Sequence, residues 1–254
     1  MKNILRKIFY GILSVIGKIT GTRFYKHLPA GVDVYYDLKH YFPHFEALTV
    51  FDVGANNGQT AIEYVEHFPK ANIYSFEPTQ KAYTILTQTV GHLPKVKCLK
   101  LALSSAPGIA RMSSSEGTTE QNKITSQQQE GLNYEEVELI TLDTFCQKND
   151  IKHIHLLKID TEGHDFEVLK GAENLINNMQ IDLIQVEAGI NPQNTLHVPF
   201  VKFKEYLESK GYLLFKIYDQ VYEWPTGAST MRYCNPIFAS TKLLNANIRE
   251  YAKL

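Results

Sequence analysis

Residues 51–60 read FDVGANNGQT, in the order of a buried strand, a tight turn and the start of a helix. The strand ends in Asp52, the turn passes through Gly54 and Gly58, and a helical pattern begins near Gln59. Glycines let the backbone approach a ligand closely, and such a helix start directs free N–H groups toward it. The spacing matches neither the GxGxxG of dinucleotide sites nor the GKS/T of a P-loop, so a pyrophosphate fits poorly. The acid suits a ligand with a positive group, such as an ammonium or a sulfonium.

Outward from this motif, short apolar runs alternate with helical patterns from about residue 33, which predicts βαβ units and a parallel sheet. The predicted strands are Leu48–Val53, Asn72–Phe76, Val96–Leu103, Ile154–Ile159, Ile181–Glu187, Tyr212–Tyr218 and Pro236–Ser240. The predicted helices are Gln59–Phe68, Gln80–Val90, Asp165–Asn177 and Phe200–Ser209. Only a loop through Trp224 joins the last two strands, so they should pair antiparallel. Residues 113–135 are polar and are predicted to form a long loop, either a lid or a disordered segment, before an extra strand at Val137–Leu142.

A second motif, YSFEP, places Glu77 at the end of the second predicted strand, 19 residues after Gly58. An acid at this distance and position accepts hydrogen bonds from ribose hydroxyls in nucleotide sites. The Glu77-Pro78 pair alone also fits the start of a helix. Its distance from the first motif favours the ribose role.

The third motif is LKIDTEGHDFEVLKGA at residues 157–172. A buried strand brings Asp160 and Glu162 to its carboxyl end, the edge where open α/β sheets bind ligands. Acids also favour helix starts. Asp165 and Glu167 fit that explanation and are assigned no chemistry, whereas Asp160 is still on the strand and fits it poorly.

Together the three motifs resemble the FkbM family of S-adenosylmethionine-dependent methyltransferases, over about residues 28–240. The resemblance implies a Rossmann-like class I methyltransferase fold: an α/β protein with a seven-stranded sheet of order 3-2-1-4-5-7-6, the seventh strand antiparallel, and helices on both faces. It also implies S-adenosylmethionine as cofactor and O-methylation of a hydroxyl group. The sequence departs from the family at Leu101–Ser104, where the acid or Asn often used to bind adenine is absent, so Ser104 or a backbone group is expected to serve.

The expected cofactor-binding residues lie at three strand ends. The methionine half is assigned to Asp52, Gly54, Asn56 and Gly58, the ribose to Glu77, the adenine to Ser104, and the ammonium or transferred methyl to Asp160. The expected catalytic residues are His164, Asp160 and Glu187. His164 is the first candidate for the base, because an unperturbed histidine has a pKa of about 6.5. Glu187 is expected to pair with Asp160, where the two would orient the substrate, share a proton or hold a divalent cation.

Composition narrows the function further. The 254 residues hold 26 basic and 27 acidic side chains, so the protein as a whole is not expected to present the basic surface that binds nucleic acid. The three cysteines are far apart and form no Cys/His cluster, which favours a reducing compartment and argues against a disulfide framework or a structural zinc site; no metal ligands are assigned. We therefore expect a cytoplasmic protein. The other histidines, His197 among them, have no partner identifiable from sequence and are expected to be surface or structural.

The two parts of the chain differ in net charge. Residues 1–32 form a basic arm with a net charge of +6, and residues 33–254, the expected methyltransferase domain, have a net charge of −7. Apolar residues recur in the arm at helical spacing, at Ile4, Leu5, Ile8, Ile12, Val15, Ile16 and Ile19. No small-residue cleavage site follows, which argues against a signal peptide, and glycines and Lys18 interrupt the run that a membrane span needs. Two alternatives stay open: an amphipathic helix of residues 1–20 in peripheral contact with anionic lipid or a partner, and a helix packed on its own domain.

The sequence thus predicts an O-methyltransferase whose acceptor is a sugar hydroxyl in a glycan, a glycolipid or a natural product. One alternative is a nucleic-acid methyltransferase, which the acidic residues 33–254 argue against. The other is a non-catalytic module that the basic arm docks to a membrane or partner.

Overall fold

The computed structural model describes residues 2–22, 24–25, 27–114, 123–124, 133–222 and 229–251. The helices are α1 Lys2–Thr20, α2 Val34–Tyr41, α3 Gln59–His67, α4 Gln80–Val90, α5 Leu142–Lys148, α6 Asp165–Lys170, α7 Glu173–Asn177, α8 Phe200–Ser209 and α9 Thr241–Tyr251. The strands are β1 Thr49–Val53, β2 Asn72–Phe76, β3 Val96–Leu99, β4 Ala102–Leu103, β5 Gly108–Ser114, β6 Lys123–Ile124, β7 Asn133–Ile140, β8 Ile154–Ile159, β9 Ile181–Val186, β10 Ala188–Gly189, β11 Tyr212–Val221 and β12 Tyr233–Ser240.

The main sheet confirms the predicted strand order. Its path is β3-β2-β1-β8-β9-β12, with β11 on the far side of β12 and the short β10 continuing the line of β9. The strands from β3 to β9 pair parallel, and β12 pairs antiparallel with both β9 and β11. Counted along the chain, these seven long strands lie in the order 3-2-1-4-5-7-6.

Two apolar cores cover the faces of this sheet, as predicted for a layered α/β fold. Phe51 and Leu157 belong to the core that includes residues of α5 to α8. Val50 and Leu156 belong to the core that includes residues of α2, α3 and α4. Neighbouring strand residues enter opposite cores because side chains alternate along a strand. Burial on both faces explains why four of the six residues in each of β8 and β9 are apolar.

The predicted third strand, Val96–Leu103, is wrong at its carboxyl end. The strand in the main sheet stops at Leu99, and Ala102–Leu103 form β4 in a separate sheet of order β4-β7-β5-β6. The predicted extra strand Val137–Leu142 is part of β7, which pairs antiparallel with β5. It ends at Ile140, because the Thr141 hydroxyl accepts the Thr144 N–H at 3.1 Å and caps α5.

The predicted helix Asp165–Asn177 is two helices, α6 and α7, with Gly171 between them. A Cβ at Gly171 would collide with the carbonyl oxygen of Ser104. The chain therefore turns where another segment crosses it closely. Helical spacing continues through such a break, so periodicity did not reveal it.

Two predictions fall mainly on parts of the chain outside the described residues: the loop through Trp224, and most of the long loop at 113–135. Where the structure describes that loop, the prediction is wrong, because residues 113–114, 123–124 and 133–135 pair as parts of β5, β6 and β7. Among the helices that the structure describes, none is both long enough and apolar enough to cross a membrane.

Candidate active site

A cavity of about 300 Å³ opens at the carboxyl ends of β1, β2, β8 and β9. Six of the predicted site residues line it: Gly54, Asn56, Glu77, Asp160, His164 and Glu187. Apolar side chains form another part of its wall, at Pro78, Leu101, Leu103 and Met112. Asp52, Gly58 and Ser104 are not among the lining residues and lie behind the wall. The three sequence motifs therefore converge on one pocket, at the edge where parallel sheets bind ligands.

The Glu77 carboxylate is fixed at the pocket wall by three hydrogen bonds. Its Oε1 accepts from the backbone N–H and the hydroxyl of Thr79, at 3.1 and 2.7 Å. Its Oε2 accepts from the backbone N–H of Asn56, at 3.2 Å. Burial raises the pKa of Glu77, and the bonds from Thr79 and Asn56 oppose that rise. The first and second motifs are thus joined through this side chain.

Three charged side chains meet where β1 and β8 end. The Nζ of Lys158 lies 3.2 Å from Oδ2 of Asp160 and 3.5 Å from Oδ1 of the fully buried Asp52. Burial lowers the pKa of Lys158, but the two carboxylates more than reverse this effect and raise it. Burial also raises the pKa of Asp52, against the influence of Lys158. Lys158 was not among the predicted site residues, although a lysine inside a mainly apolar strand is a signal for such a role.

The glycines of the first motif are required by protein packing. Gly54 has a φ of +82°, and a Cβ there would collide with the carbonyl oxygen of Asp160. Gly58 has a φ of +86°, and its Cβ would lie 3.0 Å from the Leu86 side chain. The N–H groups of Gly54 and Ala55 both donate to the carbonyl of Phe76.

The turn amides of Gly54, Ala55 and Asn56 thus hold the loop to the end of β2. The first-turn amides of α3 lack acceptors within their own helix. Two of these residues, Gln59 and Thr60, line the pocket.

His164 lines the pocket and contacts Ser104, its Nε2 lying 3.0 Å from the serine Oγ. Burial lowers the pKa of His164, with Glu167 opposing, so the imidazole is neutral near pH 7. Asp165 lies beneath the adjacent turn, where it accepts from the Thr161 hydroxyl at 2.9 Å. Burial raises the pKa of Asp165 to about 7.

Glu187 lies between β9 and β10 and contacts a histidine that sequence analysis left without a partner. Its Oε2 is 2.8 Å from Nε2 of His197, whose Nδ1 is 2.8 Å from the Asn194 amide nitrogen. The His197 ring stacks on Tyr233 at 4.5 Å. Asp160 contacts Lys158 and Glu187 contacts His197, so the two acids expected to pair each have another partner. With Glu162, the Glu187–His197 pair brings ligand-type atoms within 4.8 Å of one another; the absence of a metal stays a prediction.

A sheet of this order, with a pocket at the carboxyl ends of its central strands, defines a Rossmann-like class I methyltransferase. The family described as "Methyltransferase FkbM domain" matches residues 52–214, a range that includes all three motifs. The chain therefore belongs to the FkbM family of S-adenosylmethionine-dependent methyltransferases.

Two curated relatives and one solved structure illustrate the similarity. The chain is 27% identical to the hexuronic acid methyltransferase AglP of Haloferax volcanii over 147 residues, which cover 57% of this chain and 58% of that protein. It is 23% identical to the 2-O-methyltransferase NoeI of Sinorhizobium fredii over 141 residues, 50% of this chain and 58% of that protein. The matches thus span less than two thirds of either relative. The structure of M. capricolum TrmK with S-adenosyl-homocysteine aligns at a TM-score of 0.44 and 13% identity, covering 80% of this chain and 67% of that one.

Proposed function

We propose that this protein transfers a methyl group from S-adenosylmethionine to a hydroxyl group of a saccharide. The observation that carries the proposal is the fixed Glu77 carboxylate on the pocket wall, at the strand end where a ribose is bound in related folds. The saccharide class is supported by the relative named for hexuronic acid, and transfer to a hydroxyl oxygen is supported by the relative named a 2-O-methyltransferase.

The residues of the pocket fit the cofactor. Glu77 offers oxygens to a ribose diol, and the wall near Leu103 and Met112 offers an apolar face to the adenine. Asp160 offers a carboxylate to the positive end of the molecule. The buried Oδ1 of Asn56 has no hydrogen-bond partner among the described residues, which suits a site that a polar ligand completes. When bound, S-adenosylmethionine supplies an electrophilic methyl group on a positively charged sulfur.

The chain itself must position the acceptor and remove the proton of its hydroxyl group. Of the three candidate residues, Asp160 is held by Lys158 and is assigned to the positive end of the cofactor. His164 has its Nε2 against Ser104, which lies outside the pocket wall. Glu187 lines the pocket, and its Oε2 lies 2.8 Å from Nε2 of His197. We therefore assign the base to Glu187, with His197 as its positioning residue and His164 as a wall of the acceptor site.

Peripheral membrane contact through residues 1–20 forms part of the same proposal, since it would bring the pocket to acceptors carried by lipids. The function is tested by incubating the protein with S-adenosylmethionine and a panel of uronic-acid and neutral oligosaccharides. Mass spectrometry should find one added CH₂ unit in at least one uronic-acid saccharide. S-Adenosyl-homocysteine binding without transfer to any saccharide would refute the acceptor class and leave cofactor binding intact.

A further inference from the structure

One face of α1 is apolar and uncovered. Ile12, Val15, Ile16 and Ile19 follow the i, i+3, i+4, i+7 spacing that places side chains on a single helix face, here termed the apolar arc. Their exposed fractions are 54, 57, 40 and 80%. Isolated exposed apolar residues are ordinary on a protein surface, but a continuous helical stripe of them marks an interaction surface.

The chain that follows α1 covers the opposite face. A Cβ at Gly17 would collide with the carbonyl oxygen of Thr22, so the backbone crosses α1 closely there. Leu13 is half-buried and, with Gly17, lines a crevice together with Phe24 and Tyr25. The local chain therefore packs against the side of α1 turned away from the apolar arc. In the part of the chain that the structure describes, the apolar arc is not buried in a core of the protein.

The charge of the basic arm indicates what covers the apolar arc. Residues 1–32 carry six basic side chains and no acidic one. A second copy of the same helix would bring two groups of four like charges together, from Lys2, Arg6, Lys7 and Lys18 of each copy. An anionic lipid surface attracts this charge and accepts an apolar arc in its acyl region, which is the mode of amphipathic interfacial helices.

We propose that α1 lies in the plane of an anionic membrane surface, with the apolar arc inserted below the headgroups and the basic side chains of the arm against them. The binding itself is independent of methyl transfer. Its benefit rests on the proposed function, because it would concentrate the pocket near saccharides that are attached to lipids.

The test is flotation of the full chain with vesicles of phosphatidylcholine alone or mixed with phosphatidylglycerol. We expect binding to the anionic vesicles that weakens with added salt, and at least about tenfold weaker binding to neutral ones. Replacing Ile12, Ile16 and Ile19 together by Ser should weaken anionic binding by at least about tenfold. A matched control replaces three exposed residues elsewhere, Val32, Ile109 and Val201, which are 62, 75 and 59% exposed, and should bind like the wild type.

Absence of vesicle binding, equal binding to both compositions, or an arc variant that binds like the wild type would overturn the proposal. So would a dimer, seen by light scattering, that the arc substitutions dissociate while the wild type ignores vesicles. S-Adenosyl-homocysteine titration of each variant shows that the domain is folded. It also separates the two proposals, since loss of nucleoside binding refutes the enzyme and not the membrane contact.

Discussion

Lys158 lies directly opposite Asp52 in the register of β8 and β1, and its Nζ is 3.5 Å from the Asp52 carboxylate. The same Nζ lies 3.2 Å from Asp160. One ammonium therefore serves two carboxylates, which leaves a negative charge when all three groups are ionised. A pocket with this surplus of negative charge suits a positively charged ligand. The buried pair of Lys158 and Asp52 is neutral overall and must be assembled during folding.

Replacement of Lys158 by Met should lower the free energy of unfolding by about 3 kcal/mol, because it strands the fully buried Asp52 without its cation. Urea denaturation measures the change. The control is Lys170→Met, which removes a partly exposed pair with Glu167 and should cost less than about 1 kcal/mol. Similar losses in the two variants would show that Asp52 does not depend on Lys158.

Substitution of Gly54 by Ala should destabilise the fold by at least about 2 kcal/mol, because φ is +82° and the new Cβ meets the Asp160 carbonyl. Gly108→Ala provides the comparison, since a Cβ there meets nothing within 4 Å. Thermal unfolding should separate the two variants clearly. A Gly54 variant as stable as the Gly108 variant would remove the packing explanation for the glycine.

Asp165 should make stability fall as pH rises. Its folded-state pKa of about 7 lies above that of an unfolded aspartate, so its contribution is complete below about pH 4 and is lost up to about pH 7. As pH rises across this range, the free energy of unfolding of the wild type should fall by roughly 4 kcal/mol relative to that of Asp165→Asn.

The control is Glu167→Gln, because the contribution of Glu167 to stability changes with pH in the opposite direction. The bonds from Lys170 and Ser105 lower the pKa of Glu167, so its smaller contribution is lost as pH falls. Urea denaturation at a series of pH values measures the free energy of unfolding of the wild type and of both variants. A difference between wild type and the Asp165 variant that stays flat with pH would contradict the prediction.

Glu187→Gln should lower kcat at least about 100-fold if this carboxylate is the base, with S-adenosyl-homocysteine binding unchanged. His197→Phe should lower kcat less and leave KM nearly unchanged, because His197 acts only by orienting Glu187. The measurement is steady-state transfer to a saccharide identified in the panel. Should His164→Asn prove the more damaging change to kcat, the base would be His164.

The sequence was sufficient for the strands of the main sheet, for the antiparallel last pair and for six residues of the pocket wall, because buried parallel strands and their carboxyl ends leave local patterns. The order of the strands came from the family resemblance. The sequence was insufficient where distant segments meet. The break at Gly171 depends on the crossing carbonyl of Ser104, and the loss of Leu103 from the third strand depends on pairing with β7. Likewise, the partnership of His197 with Glu187 joins a loop to a strand end, and no spacing encodes it.

The glycines of the first motif have a structural cause that differs from the one predicted. Their lack of a side chain was interpreted as room for a ligand, whereas the structure shows Gly54 against Asp160 and Gly58 against Leu86. Gly54 lets the ends of β1 and β8 approach each other, and Gly58 lets the start of α3 pack against Leu86 of α4.

Calorimetric titration with S-adenosyl-homocysteine tests most directly whether the nucleoside is held at the carboxyl edge through Glu77. The wild type should bind, and Glu77→Gln should bind at least about tenfold more weakly, because it weakens charge-assisted hydrogen bonds to the ribose. Glu46→Gln, a change to a surface residue paired with Lys70, should bind like the wild type. No binding by the wild type, or equal affinity in the Glu77 variant, would contradict the assignment.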